Sequence, residues 1–92
     1  MAILVTMQVG PVDWSKFEAA MQGAQDKPRG RHSARVFRSQ SDPRQVLIVE
    51  EWDSHDDMHA YQEQAGDDFN RRAGTEGMDW QVNLWDQASA LQ

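Results

Sequence analysis

Cysteine is absent from this chain of 92 residues. Disulfides, thiolate metal sites and a cysteine nucleophile are therefore excluded. Positive charge is also scarce: 9 bases stand against 15 acids, for a net charge of −6. An acidic surface favours solubility and repels phosphate backbones, so a nucleic-acid partner is not expected. Long apolar runs are missing too. The longest, Ala2 to Val5 and Val46 to Val49, are far short of a bilayer span. The N-terminus carries neither a basic leader nor a long apolar stretch, so no secretory signal and no membrane partner are expected, and the chain reads as cytoplasmic. Its length suits one domain over residues 1–92. A domain of this size buries only about two thirds of the surface its unfolded chain exposes. With no disulfide to help, pairing with a second copy is the economical way to bury more.

What is present alternates between two periods. Ile3, Val5, Met7 and Val9 fall on one side of a strand, with Leu4, Thr6 and Gln8 on the other. Gly10-Pro11 stops it, and Asp13 is placed to cap a helix. Trp14, Phe17, Met21 and Ala24 follow at helical spacing, one apolar stripe. Lys27-Pro28-Arg29-Gly30 ends that helix. A second strand is expected over 32–39 and a third from Gln45 to Trp52, joined through the turn sequence Ser41-Asp42-Pro43-Arg44 as an antiparallel hairpin. Ser54 and Asp57 have capping-box spacing. They open a second helix whose stripe is Met58, Tyr61 and Ala65, continuing to Phe69 past Gly66. A Gly-rich loop, Ala73 to Gly77, precedes a fourth strand over 78–86, with Met78, Trp80, Val82 and Leu84 on one side and Asn83 and Trp85 on the other. The tail to Gln92 is polar and suited to fraying or to reaching a partner.

The order βαββαβ implies an α+β, ferredoxin-like fold: a four-stranded antiparallel sheet with both helices on one face. Its other face should then be solvated and polar. Yet Leu4, Leu47 and Trp85 oppose the main stripes of their strands. Both faces are partly apolar, and a second copy of the same sheet would cover the spare one, so a homodimer is expected.

Charge is segregated along the chain. Residues 27–38 hold Lys27, Arg29, Arg31, Arg35 and Arg38 and no acid, whereas residues 50–68 hold eight acids and no Lys or Arg. A basic mouth for an anionic ligand would use the first block. Complementary charge across the hairpin or a dimer contact is the plainer explanation. His55, His59 and Glu63 have metal-compatible helical spacing, but by helical angle they drift off the apolar stripe towards water, and no metal is expected. Ala73 to Gly77 is too loose for a nucleotide loop, and neither a phosphate-loop nor a dinucleotide fingerprint occurs. Four tryptophans are many for this length. They suit a core, an interface or a flat ligand. Arg71-Arg72 suit a helix C-terminus, or one of them an anionic ligand oxygen.

The run Glu50-Glu51-Trp52-Asp53-Ser54, the short amphipathic helix after it and Phe69 resemble the antibiotic biosynthesis monooxygenase superfamily. The resemblance implies a dimeric α/β barrel, with two ferredoxin-like sheets face to face. It also implies a family that includes quinone-forming oxygenases working without metal or flavin, so no cofactor is expected. Those oxygenases surround substrate with a strand-3 Asn, the Trp at that strand's end, a Tyr on the next helix and a later Arg. Here Trp52 takes the Trp position and Arg72 falls near that of the Arg, while Ile48 and Met58 stand where the Asn and Tyr would be. Many other members have a His nine residues after the Trp, where this chain has Tyr61, with His59 two residues before it. The haem-degrading branch is not matched, since strand 1 offers Thr6, Met7 and Gln8 instead of Asn and no His occurs around Arg71 to Ala73.

The resemblance thus implies a cofactor-independent monooxygenase for a small aromatic or enolisable substrate. Trp52 would stack on it, Tyr61 or His59 would handle protons, and Arg72 would steady the developing anion. The alternative is a non-catalytic homodimer that binds or senses a small metabolite. An RNA-recognition module of the same strand order is disfavoured, because strand 3 lacks the basic-aromatic signature and the charge has the wrong sign.

Overall fold

The computed structural model describes residues 2–23 and 27–90. Ala24, expected to extend the first apolar stripe, and the tail's end at Leu91 and Gln92 lie outside them. The chain runs β1 (Ile3–Val9), α1 (Trp14–Gly23), β2 (Arg31–Arg38), β3 (Val46–Trp52), α2 (His55–Ala73), β4 (Gln81–Asp86). The sheet order is β2-β3-β1-β4, with every neighbouring pair antiparallel. This is the ferredoxin-like architecture that the sequence implies.

The strands bury one side. Val5 and Val9 of β1 and Val46, Ile48, Glu50 and Trp52 of β3 face the helices and are buried. Leu4 opposes Trp85 on the other side, and Phe37 opposes Leu47 there. Both helices start on side-chain caps. The Asp13 carboxylate accepts from the backbone N–H of Ser15 and Lys16 at 3.1 and 3.4 Å. Ser54 Oγ accepts from Asp57 N–H at 3.2 Å, which satisfies donors that the first helical turn leaves unpaired. At the far end of α2, Gly74 adopts φ 74° and its N–H reaches Asn70 O, the left-handed cap that glycine tolerates without a Cβ penalty. Helix α2 passes through Gly66 unbroken.

Phe17, at 0 % exposure, anchors the larger core cluster with Val9, Val12, Ala20 and Val46. Phe69 meets its ring edge-on at 5.6 Å. A smaller cluster unites Val5, Trp52 and Met58.

The fourth strand is shorter than its sequence pattern suggests. The ladder with β1 ends at Gln8↔Gln81. Before it, Gly77 at φ 77° and a bond from Met78 N–H to Thr75 O make a turn. Met78 and Trp80 still pack on the larger core cluster, so their apolar character reflects burial from an extended loop and not strand pairing. Strand β4 itself is an edge strand exposed at every position. Strand β2 starts at Arg31 and carries an irregularity between Arg31 and Ser33. Among the described residues, no helix is long and apolar enough to cross a membrane.

Candidate functional site

Helix α2 packs on the sheet side at both ends, through Met58 against Val5 and Trp52 and through Ala73 in the cluster of Val9, Val46 and Ile48. Between those anchors its apolar stripe lines a cavity of about 630 Å³. The floor is one rung across the whole sheet, Val36–Ile48–Met7–Val82. Tyr61, Ala65 and Phe69 form the roof, and Met21 and Trp80 wall one end. This volume lies within the range of small-molecule sites, which combine apolar walls with a few convergent polar groups.

The polar groups gather at two places. On the floor, two residues along β3 from Ile48 and on the same face, stands Glu50. It is 7 % exposed and belongs to a row of core-facing positions. A carboxylate removed from water loses several kcal/mol unless it is paired and hydrogen-bonded. Here one oxygen accepts from Trp52 Nε1 at 3.1 Å and the other from Arg31 Nη1 at 3.3 Å. The Arg31 guanidinium also lies 5.7 Å from the centre of the Tyr61 ring, within the range where a cation is drawn to an aromatic face. Gly30 makes this arrangement possible: its φ of 87° turns the chain into β2, and its carbonyl accepts from Asp53 N–H at the end of β3. At the rim, Arg72 Nε contacts Asp68 Oδ2 at 3.1 Å. Its guanidinium passes over Gly23, where a Cβ would come within 2.8 Å of Nη1. Gln62 donates to the Met7 sulfur at 3.5 Å.

Of the residues singled out in the sequence, Tyr61 and Arg72 line this cavity. Trp52 stands behind it. It is 0 % exposed, with its ring centre 5.8 Å from that of Tyr61, so it backs a cavity residue and offers no open face for a ligand to stack on. His59 is on the outside of α2, more than half exposed and paired with Glu63 at 3.2 Å. The rings of His55 and His59 stack at 5.8 Å, and among the described residues no group of three or more His, Cys, Asp or Glu is arranged to hold a metal ion. The Trp80 indole N–H is buried and has no hydrogen-bond partner among the described residues.

Glu50 is a site residue that the sequence pattern did not single out, and Arg31 stood out only as one member of the basic block of residues 27–38. A signal existed: Glu50 shares the parity of Val46, Ile48 and Trp52, so an acid occupies a row that is otherwise core. The complementary blocks of charge do meet across the hairpin, in Arg31–Glu50 and in the pair between His32 Nε2 and Asp53 Oδ1.

Comparisons with known proteins agree with this fold. The family model described as antibiotic biosynthesis monooxygenase matches residues 2–66. A crystal structure from Bordetella bronchiseptica, named for the same family, superposes with a TM-score of 0.78 at 20% identity, covering 96% of this chain and 98% of that one. One from Caulobacter crescentus, named likewise, gives a TM-score of 0.75 at 16% identity, with coverage of 96% and 91%. SnoaB from Streptomyces nogalater, a cofactor-independent oxygenase, gives 0.71 at 15% identity, with coverage of 98% and 95%. At these identities the structural likeness carries the fold alone. No curated protein sequence matches the chain.

Proposed function

Since the chain belongs to the antibiotic biosynthesis monooxygenase family, we propose that it is a cofactor-independent monooxygenase for a small aromatic or enolisable organic substrate, held between α2 and the sheet. The observation that carries this reading is the cavity itself: a partly open, largely apolar space of about 630 Å³ that both Tyr61 and Arg72 line. Deprotonation of an electron-rich substrate gives an anion able to pass an electron to dioxygen. The net change converts a ring methylene and O2 into a carbonyl and water. The protein must supply proton handling, a dry enclosure and a partner for the developing anion. Tyr61 belongs to the proton path, Arg72 at the rim to the anion, and Trp52 holds the Tyr61 ring from behind. Residues 1–92 act as one such domain, paired with a second copy, in the cytoplasm.

Mixing the protein anaerobically with a hydroxyanthrone and then admitting air should give oxygen-dependent quinone formation. A rate no greater than that of buffer rejects the assignment. A second reading, a non-catalytic dimer that binds a small metabolite, draws support from Ile48 and Met58, which stand where the resemblance places an Asn and a Tyr. Under it, the same hydroxyanthrone would quench tryptophan fluorescence and be recovered unchanged in air.

A further inference from the structure

We propose that Glu50 is the proton acceptor of this cavity. The inference rests on the oxygenase reading for its choice of substrate, and it places the base on the sheet instead of on α2.

Three observations lead there. The first is position. A charged residue in the row Val46–Ile48–Glu50–Trp52 contributes nothing to apolar packing, yet it occupies the cavity floor next to Ile48. Buried charges facing a cavity are the usual places where a fold keeps an unfavourable group for its chemistry. The second is selection among the carboxylates that touch the cavity. Asp67 and Asp68 are exposed on α2, and Asp68 is bound by both Arg71 and Arg72 at 3.1 Å. Glu50 alone of the three is buried. The third is remaining capacity. An ionised carboxylate offers about four acceptor sites. Among the described residues Glu50 uses two, one for Trp52 and one for Arg31. Those two bonds fix the carboxylate plane and leave each oxygen able to accept once more.

In the step assigned to it, a C–H bond of the ligand's activated methylene breaks. The electron pair stays on the ligand, delocalised into its carbonyl as an enolate, and the proton forms an O–H bond on Glu50. Arg31 and Trp52 are positioning residues, since they touch Glu50 and hold its oxygens. No oxidant takes part in this step, so it is separable from the reaction with dioxygen.

That separability gives the test. Under nitrogen in D2O, the protein should accelerate deuterium incorporation into the methylene of a hydroxyanthrone, followed by proton NMR. Glu50→Gln should lower the exchange rate by at least about 100-fold, while hydroxyanthrone still quenches tryptophan fluorescence. Exchange at the wild-type rate in Glu50→Gln overturns the proposal and leaves the oxygenase reading standing. Wild-type protein that fails to exchange the methylene also overturns it. If wild type exchanges, the variant does not, and no quinone appears on admitting air, then Glu50 is the base and the oxygenase reading is what fails. Should Glu50→Gln not fold, the double variant Glu50→Leu with Arg31→Met removes both members of the buried pair, a replacement that cores tolerate better than loss of one partner. Exchange at the wild-type rate in that variant overturns the proposal, and lost exchange with retained quenching supports it.

Discussion

Trp52 and Glu50 are two residues apart on one strand, and their contrast shows how a sequence pattern turns into chemistry. An aromatic at the end of a strand suggests a stacking surface, but Trp52 faces the same side as Val5 and Met58 and is consumed by packing. The acid beside it sits among core positions, where only a partner and a cavity explain it. His59 fails as a cavity residue for an equally simple reason: two residues of helix rotate it about 200° from Tyr61. The residue scale also carries a pH effect. His32 has its pKa raised above 6.5, first by its hydrogen bond to Asp53 and then by the charge of that carboxylate. The folded state therefore holds this proton more tightly than the unfolded chain. Its contribution to stability is fully present below pH 6.5 and is lost as pH rises through the folded value. In an NMR titration the His32 ring should show a midpoint above 6.5, and Asp53→Asn should lower that midpoint. An unchanged midpoint in the variant would show that the pair does not form in solution.

At the scale of elements, periodicity located five of the six segments closely. Strand β1 ends where Gly10-Pro11 places its end, and Asp13 and Ser54 cap the helices as their spacing suggests. The miss was β4. Alternation of Met78, Trp80 and Val82 is compatible with a strand, but alternation fixes which side chains turn inward and not where a neighbouring strand stops. The site was half legible for a related reason. An apolar stripe on α2 says that Tyr61, Ala65 and Phe69 avoid water. It does not say whether they meet the sheet or a cavity, because both surroundings select the same residues. Gly66 belongs to that stretch. It lies inside the helix, and a methyl group there would touch nothing within 4 Å. Glycine in a helix interior costs roughly 0.5–1 kcal/mol relative to alanine. Gly66→Ala should therefore raise unfolding stability by about that amount in urea titration. Because Gly66 also lines the cavity, the same variant reports whether a methyl there obstructs the hydroxyanthrone. Stabilisation with unchanged quinone formation would mean that the glycine has no part in substrate access.

At the scale of the molecule, what stands out is the sheet's second face. Leu4, Phe37 and Trp85 remain 37%, 45% and 54% exposed there, with Leu47 and Val49 half-buried between them. Polar residues temper the surface without dispersing it: Trp85 donates to Thr6 at 3.0 Å, and Arg35 lies over the Phe37 ring at 5.6 Å. Both outer strands therefore present their aromatic rings alongside polar partners, while the middle strands supply aliphatic side chains. A small domain cannot gain much from leaving such a surface wet, since burying it recovers about 25 cal/mol per Å². A second copy offers an equivalent patch, and a two-fold contact requires only that one surface complement itself. The expected mass in light scattering at micromolar concentration is that of two chains. Association of the folded state alone would also make the melting temperature rise with protein concentration. Phe37→Glu places a charge on that face of β2, away from the cavity, and should shift the mass towards one chain and remove the concentration dependence. If the mass is that of one chain in the wild type, the exposed rings serve another purpose. If Phe37→Glu remains dimeric with an unchanged melting profile, the two copies meet through some surface other than the sheet.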